Sequence, residues 1–272
     1  MELNETVIKI FKEIYDETAV ECVGIELTNE KPSIFESKIG GFGYIPHNEN
    51  FPVDSKGNQL RLLAQIECAK VEHPYYPKHG VLQFWIMNDD LYGADFDNYT
   101  KQDTFRIIYY KEIDKTVTED EVKSKYVPNE YDADESLLPF EGEYGIVFEK
   151  CLKSGMTERD YRFESIFCEK YNSLNPDNPI KSLYDLDYDI DLEEHIKNSF
   201  GHKIGGYPAF TQTDPRENGD THDFVLFQLD SDFGGNDDRI MWGDAGIGNF
   251  FINSEKLKNC DFSDVIYNWD CY

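Results

Sequence analysis

The chain has 272 residues, 40% of them hydrophobic and 15% aromatic, which is enough for a sizeable core and excludes global disorder. Its 54 Asp and Glu against 26 Lys and Arg leave a formal net charge of −28, a field that repels nucleic acid and anionic lipid and attracts basic protein faces. With no basic stripe, no apolar run of membrane-spanning length and no basic leader, the sequence reads as a cytoplasmic protein that binds neither nucleic acid nor membrane.

In chain order, residues 5–18 place Val7, Ile8, Phe11, Ile14 and Tyr15 at helical spacing, with Asn4 as a cap. Residues 21–28 read as a strand. "KIGG" follows at 38–41, where adjacent glycines suit a turn of positive φ, and Pro46 discourages helix beyond it. "LLAQIEC" (62–68), "VLQFWIM" (81–87) and "FRIIYY" (105–110) read as strands, rich in β-branched and aromatic residues. In the first of these, Gln65 and Glu67 share one face and Ala64 and Ile66 the other. From Glu112 to Glu143 there are 11 Asp and Glu against 3 Lys, a local balance of −8 to which Asp132, Asp134 and Glu135 contribute, and residues 127–139 read as a loop. "FEGEYGIVFEK" (140–150) reads as a strand or hairpin. The alternating acids Asp185, Asp187, Asp189 and Asp191 predict a strand with one solvated face, and 191–200 predict a helix ended by Gly201. Last come a second "KIGG" at 203–206, with Pro208 after it, and the strands "FVLFQLD" (224–230) and "NFFIN" (249–253).

These elements repeat. Leu63–Glu67 answers Leu226–Asp230, and "GVLQFWI" (80–86) answers "GIGNFFI" (246–252), with nearly equal spans from each "KIGG". Three blocks in one order point to an internal duplication with repeats at about 38–91 and 203–257. No low-complexity linker separates them. The expected fold is therefore α+β, a β-rich single body over 1–272 built from a duplicated KIGG–strand–strand unit with peripheral helices.

Little catalytic or metal chemistry is legible. The Asp230–Asp238 run opens like a calcium loop, but Gly234 occupies its third ligand position and no Glu closes it. There is no nucleophile elbow, zinc motif or P-loop, and Gly243, Gly246 and Gly248 lack dinucleotide-binding spacing. Cys22, Cys68, Cys151, Cys168, Cys260 and Cys271 form no C-x-x-C pair and read as reduced thiols. No cofactor or metal is implied. The candidate binding residues are the polar members of the repeated strands, Gln65 and Glu67 with Gln228 and Asp230, joined by Trp242 and Asp244 of the "WGD" turn. They would line a pocket between the two units if the protein were an enzyme or small-ligand binder. The alternative for them is turn-fixing hydrogen bonds.

Together "FESKIGGFGYIP", "GNQLRLLAQIE", "HGVLQFWIMNDDLYG", "FRIIYY", "KIGGYPAFTQTDPR", "LFQLDSD", "MWGDAGIGNFFI" and "VIYNWDC" resemble the YwqG-like family of bacterial proteins, from about residue 30 to the C-terminus. The resemblance implies a cytoplasmic α+β protein with no established activity or cofactor. Some relatives are suspected immunity-type partners of toxins. The family's Gly-Gly-x-Pro turn is altered in the first unit, which reads Gly40-Gly41-Phe42-Gly43. Charge and resemblance together point to a non-catalytic binding protein for a basic partner. The sequence sets no oligomeric state.

Overall fold

The computed structural model describes residues 3–128, 137–149, 152–188, 190–191, 194–233 and 238–272. Asp132, Asp134, Glu135, Cys151, Asp189 and the glycine pair of the calcium-like run, Gly234 and Gly235, lie outside them. The chain forms α1 (Leu3–Thr18), β1 (Val20–Thr28), β2 (Lys38–Gly40), β3 (Arg61–Glu67), β4 (Val81–Ile86), β5 (Phe105–Tyr110), α2 (Glu119–Ser124), β6 (Glu143–Phe148) and β7 (Leu152–Ser154). It continues with α3 (Phe163–Leu174), β8 (Lys203–Gly205), β9 (Phe224–Asp230), β10 (Ile247–Ile252), α4 (Ser254–Lys258) and β11 (Val265–Asp270). The fold is α+β and rich in β structure.

One antiparallel path runs β11-β10-β9-β8-β1-β6-β2-β3-β4-β5, with β7 added to the start of β1. The path folds over so that its two halves bury a common core. Phe84 of β4 lies 4.9 Å from both Phe227 and Phe250, and Phe105 of β5 lies 5.2 Å from Tyr267. Alternation along β3 sends Ala64 and Ile66 into this core and Gln65 to the outer face, as the period of two requires. The outer face of β9–β11 carries Phe210, Val225, Phe251 and Ile266. On that same half, α1 and α3 pack through Phe11, Phe163 and Phe167 and enclose Tyr207.

The registers of the two halves coincide. Lys38 pairs with Gln65, and Lys203 with Gln228; Gln65 pairs with Gln83, and Gln228 with Asn249. The β3–β4 ladder skips Leu63, and the β9–β10 ladder skips Leu226 at the same place, a shared bulge. Lys38 pairs across to Gly145 of β6, and Lys203 to Gly24 of β1. The two central strands then pair about Glu26 and Val147, with Ile25–Phe148 on one side answered by Leu27–Ile146 on the other. An approximate two-fold axis through that pair relates the halves. Both "KIGG" turns hold their glycines at positive φ, 68° and 65° at Gly40 and Gly41, 74° and 73° at Gly205 and Gly206. Gly43 stands where Pro208 stands in the second turn, and the turn geometry survives the change.

The helix expected over 191–200 does not form among the described residues. The Ser199 and Gly201 carbonyls accept from the Gln228 side chain, which ties the end of this segment to β9 in a non-helical path. Nor, among the described residues, do the alternating acids form a strand. Leu183–Asp185 is a 3₁₀ turn in which the Asp185 carboxylate accepts from the Lys181 and Ser182 amides. The helices α3 and α4 had no reading in the sequence, and the "EVKSK" stretch of α2 reads only as helix or loop.

Candidate functional site

The six candidate residues do not converge on one site, although Gln228 and Asp230 both bond Gly201. Gln65 is fully buried on the outer face of β3. Its Oε1 accepts from the Tyr44 amide (2.8 Å) and from Gln83 Nε2 (2.8 Å), and its Nε2 donates to the Ile34 and Glu36 carbonyls (2.9 Å each). Gln228 repeats this on β9, accepting from the Ala209 amide and donating to the Ser199 and Gly201 carbonyls. Both amides therefore tie a "KIGG" segment to its strand, and they share no partner. Asp230 accepts from the Gly201 amide at 2.7 Å, and burial raises its pKa. Glu67 borders a shallow depression with Glu36 and Lys70, on the first half. Trp242 is buried against Tyr92 and Trp269, and a Cβ on Gly248 would lie 2.4 Å from its ring, which explains that glycine. Asp244 is exposed in the turn that follows.

A different set of residues forms a concavity with aromatic walls. On the outer face of the first half, a cleft of about 430 Å³ is walled by Phe42, Phe51, Leu62, Leu138 and Phe140. Its polar groups are Arg61, Asn88, Tyr126 and Glu141. The "KIGG" turn delivers Phe42, β3 delivers Arg61 and Leu62, and the chain after α2 delivers Tyr126. Phe42, Phe51 and Tyr126 meet edge-on with centroids 5.8–6.1 Å apart, a preferred aromatic geometry. The Arg61 guanidinium lies 4.3 Å over the Tyr126 ring and donates to its hydroxyl, and burial pushes its pKa down to about 10. The cleft can thus hold an apolar group beside a desolvated cation.

The other half is built differently at the corresponding place. The register puts Phe224 where Arg61 stands and Val225 where Leu62 stands, since Arg61 pairs with Ile86 and Phe224 with Ile252. Tyr207, the counterpart of Phe42, is enclosed by α1 and α3. Beside it runs a buried chain of charges. Asp160 accepts twice from Arg162 at 2.7 Å and once from Arg216 at 3.4 Å, and Arg216 forks onto Asp214 at 2.9 and 2.7 Å. The Arg216 guanidinium lies 4.1 Å over the Phe251 ring. This network fastens the start of α3 to β10, and the "TDPR" segment supplies half of it. A wider hollow of about 660 Å³ next to it is bordered by Glu158, Arg159 and Glu164, with Leu183, Leu186 and Tyr188 as apolar walls.

Among the described residues no three His, Cys, Asp or Glu converge as metal ligands, and no helix is long and apolar enough to cross a membrane. The profile of DUF1963, a domain of unknown function, matches residues 37–271. The chain belongs to the DUF1963 family. The DUF1963 match takes in strands of both halves of the sheet, the cleft and the charge network, and it leaves out α1 and β1. No curated protein matches the chain. Sequence reasoning passed over Arg61 and Tyr126. The available signal was an arginine opening an otherwise apolar strand in "LRLLAQIE", where a charged side chain needs a partner or an opening.

Proposed function

We propose that the protein works by binding a protein partner that is basic overall and seats one apolar side chain in the cleft between Phe42, Phe51 and Phe140. The cleft carries this reading. It lies on the face that α1 and α3 cover in the other half, its walls are aromatic, and Arg61 and Glu141 supply polar contacts at its edge. An aromatic-walled cleft of this kind suits a single anchoring residue, which is how most interface energy is delivered. The net charge of −28 speeds encounter with a basic surface and selects against acidic ones. This is consistent with the resemblance to YwqG-like proteins, a cytoplasmic place of action and an immunity-type role against a basic toxin. On the same reading the matching registers descend from an internal duplication, after which one face gained helices and the other kept its cleft. Arg61 favours a second reading, in which the cleft binds a small apolar anion.

The test uses wild-type protein, Leu138→Trp to fill the cleft and Glu141→Arg to reverse a charge on its edge. Each is a bait in extract of the source cells at about 50 and about 500 mM salt, which shortens the screening length several-fold. The expected catch is a basic protein held at low salt, released at high salt and retained at least about tenfold less by Leu138→Trp. A partner held equally by all three baits would remove the cleft from the interface. No protein catch, with a small acid eluting from wild type alone, would favour the second reading.

A further inference from the structure

Two lysines hold equivalent places in the two halves and differ in what surrounds the amine. Lys38 is 1% exposed, and its Nζ donates to Glu143 Oε1 at 2.5 Å and to the Phe42 and Pro32 carbonyls at 3.0 and 3.2 Å. Lys203 is 5% exposed, and among the described residues its hydrogen-bond acceptor is the Ser199 carbonyl. The register explains the contrast. Glu143 pairs with Gly40, which puts its side chain on the face that Lys38 occupies. The corresponding position in the other half pairs with Gly205 and is Cys22. A buried thiol thus replaces the carboxylate. A cavity of about 170 Å³ opens at this point, lined by Lys203, Cys22 and Leu152, with Lys153 and Lys197 exposed at its mouth beside Glu26 and Glu149.

A lysine buried without a carboxylate sheds its proton more readily than one that keeps its counter-ion. Burial lowers the Lys203 pKa to about 7; Cys22 and Asp230 oppose the shift and Lys197 adds to it. A neutral amine in a cavity is a nucleophile, whereas an ion-paired ammonium is not. The cavity is smaller than sites for drug-sized ligands, which begin at roughly 300 Å³.

We propose that Lys203 and this cavity form a capture site for a small carbonyl compound, an aldehyde or a 2-oxo acid, held as an imine. The amine nitrogen attacks the carbonyl carbon, and the adduct loses the carbonyl oxygen as water together with both amine protons. Nitrogen keeps the new double bond to carbon, and no oxidant or reductant takes part. Lys153 and Lys197 at the mouth suit the carboxylate of a 2-oxo acid. The site is separate from the cleft on the first half.

The test is carried out on the folded wild-type protein at pH 7. It is incubated with cyanoborohydride and either glyoxylate or propanal, and lysine modification is then read peptide by peptide by mass. Lys203 should be modified at least about tenfold faster than Lys38 and the exposed Lys101, whose ammonium groups are paired with the Glu143 and Asp95 carboxylates. Cys22→Glu, which restores a carboxylate beside the amine, should slow modification of Lys203 about tenfold, while Cys22→Ser leaves it unchanged. The wild-type map decides the matter even if Cys22→Glu does not fold. Modification of Lys203 no faster than that of Lys101 with both reagents overturns the proposal, and so does an unchanged rate in a folded Cys22→Glu protein.

Discussion

Lys203 and Lys38 show what one side chain's surroundings do to its chemistry. Desolvation lowers both pKa values, but for Lys38 the bond to Glu143 opposes the shift, while Lys203 is opposed only by Cys22 and Asp230 without a hydrogen bond to either. The sign of the consequence follows from proton counting. Between about pH 7 and about pH 10.5 the unfolded chain holds a proton at Lys203 that the folded chain does not, so stability rises with pH there. Below about pH 7 both states are protonated and the penalty of burying the charge is present in full. Lys203→Met removes this dependence. The stability of wild type minus that of Lys203→Met, from urea melts, should grow by about 2 kcal/mol between pH 7 and pH 9, since one pKa unit is worth about 1.4 kcal/mol. A difference flat with pH would show that Lys203 keeps its proton in the folded protein.

At the scale of elements, the repeated unit is a glycine turn stitched to a strand by one buried amide. Gln65 serves the first turn and Gln228 the second, each satisfying three backbone groups, two of them through buried bonds. Gln65→Leu and Gln228→Leu should each cost at least about 3 kcal/mol in urea melts, because every buried polar group left unsatisfied costs about 1–3 kcal/mol. A loss below about 1 kcal/mol in either would mean that the turn is held by its glycines and strand pairing alone. These units were legible in the sequence because pairs of glycines, apolar runs and matched order are local signals. The strands around Gln65, Gln228 and Phe84 were read correctly for that reason. A buried glutamine in a strand, however, looks the same whether it binds a ligand or a carbonyl of its own chain, and only the fold reveals Ile34 and Ser199 as the partners. The segment 191–200 misled for a related reason. Its composition suits a helix, but bonds from distant Gln228 and Lys203 to the Ser199 carbonyl tie the segment to the sheet. The cleft was not legible at all, since Phe42, Arg61, Tyr126 and Phe140 come from four separated stretches.

For the molecule as a whole, the question is what a charge of −28 does to a body of this size. A folded chain of 272 residues has a radius of gyration of roughly 18 Å. At 0.01 M salt the screening length of about 30 Å exceeds that radius, so most acids repel one another across the fold. At 0.15 M it falls to about 8 Å, and only neighbours interact. Exposed ion pairs such as Lys9–Glu13 and Lys123–Glu119 weaken over the same range, but pairs of this kind are worth about 0–1 kcal/mol each. Repulsion should win. Raising NaCl from about 0.01 to about 0.15 M at pH 7 should therefore stabilise the protein by about 1–3 kcal/mol in urea, an uncharged denaturant that leaves ionic strength under control. Binding to a basic partner must respond in the opposite direction, weakening as salt rises, because there screening removes an attraction. The two slopes, measured on one preparation, separate the uses of the charge. Stability that rises while affinity falls is the pattern of an acidic surface used for recognition. Stability that falls with salt would mean that ion pairs outweigh repulsion, with the acids arranged to hold the fold together.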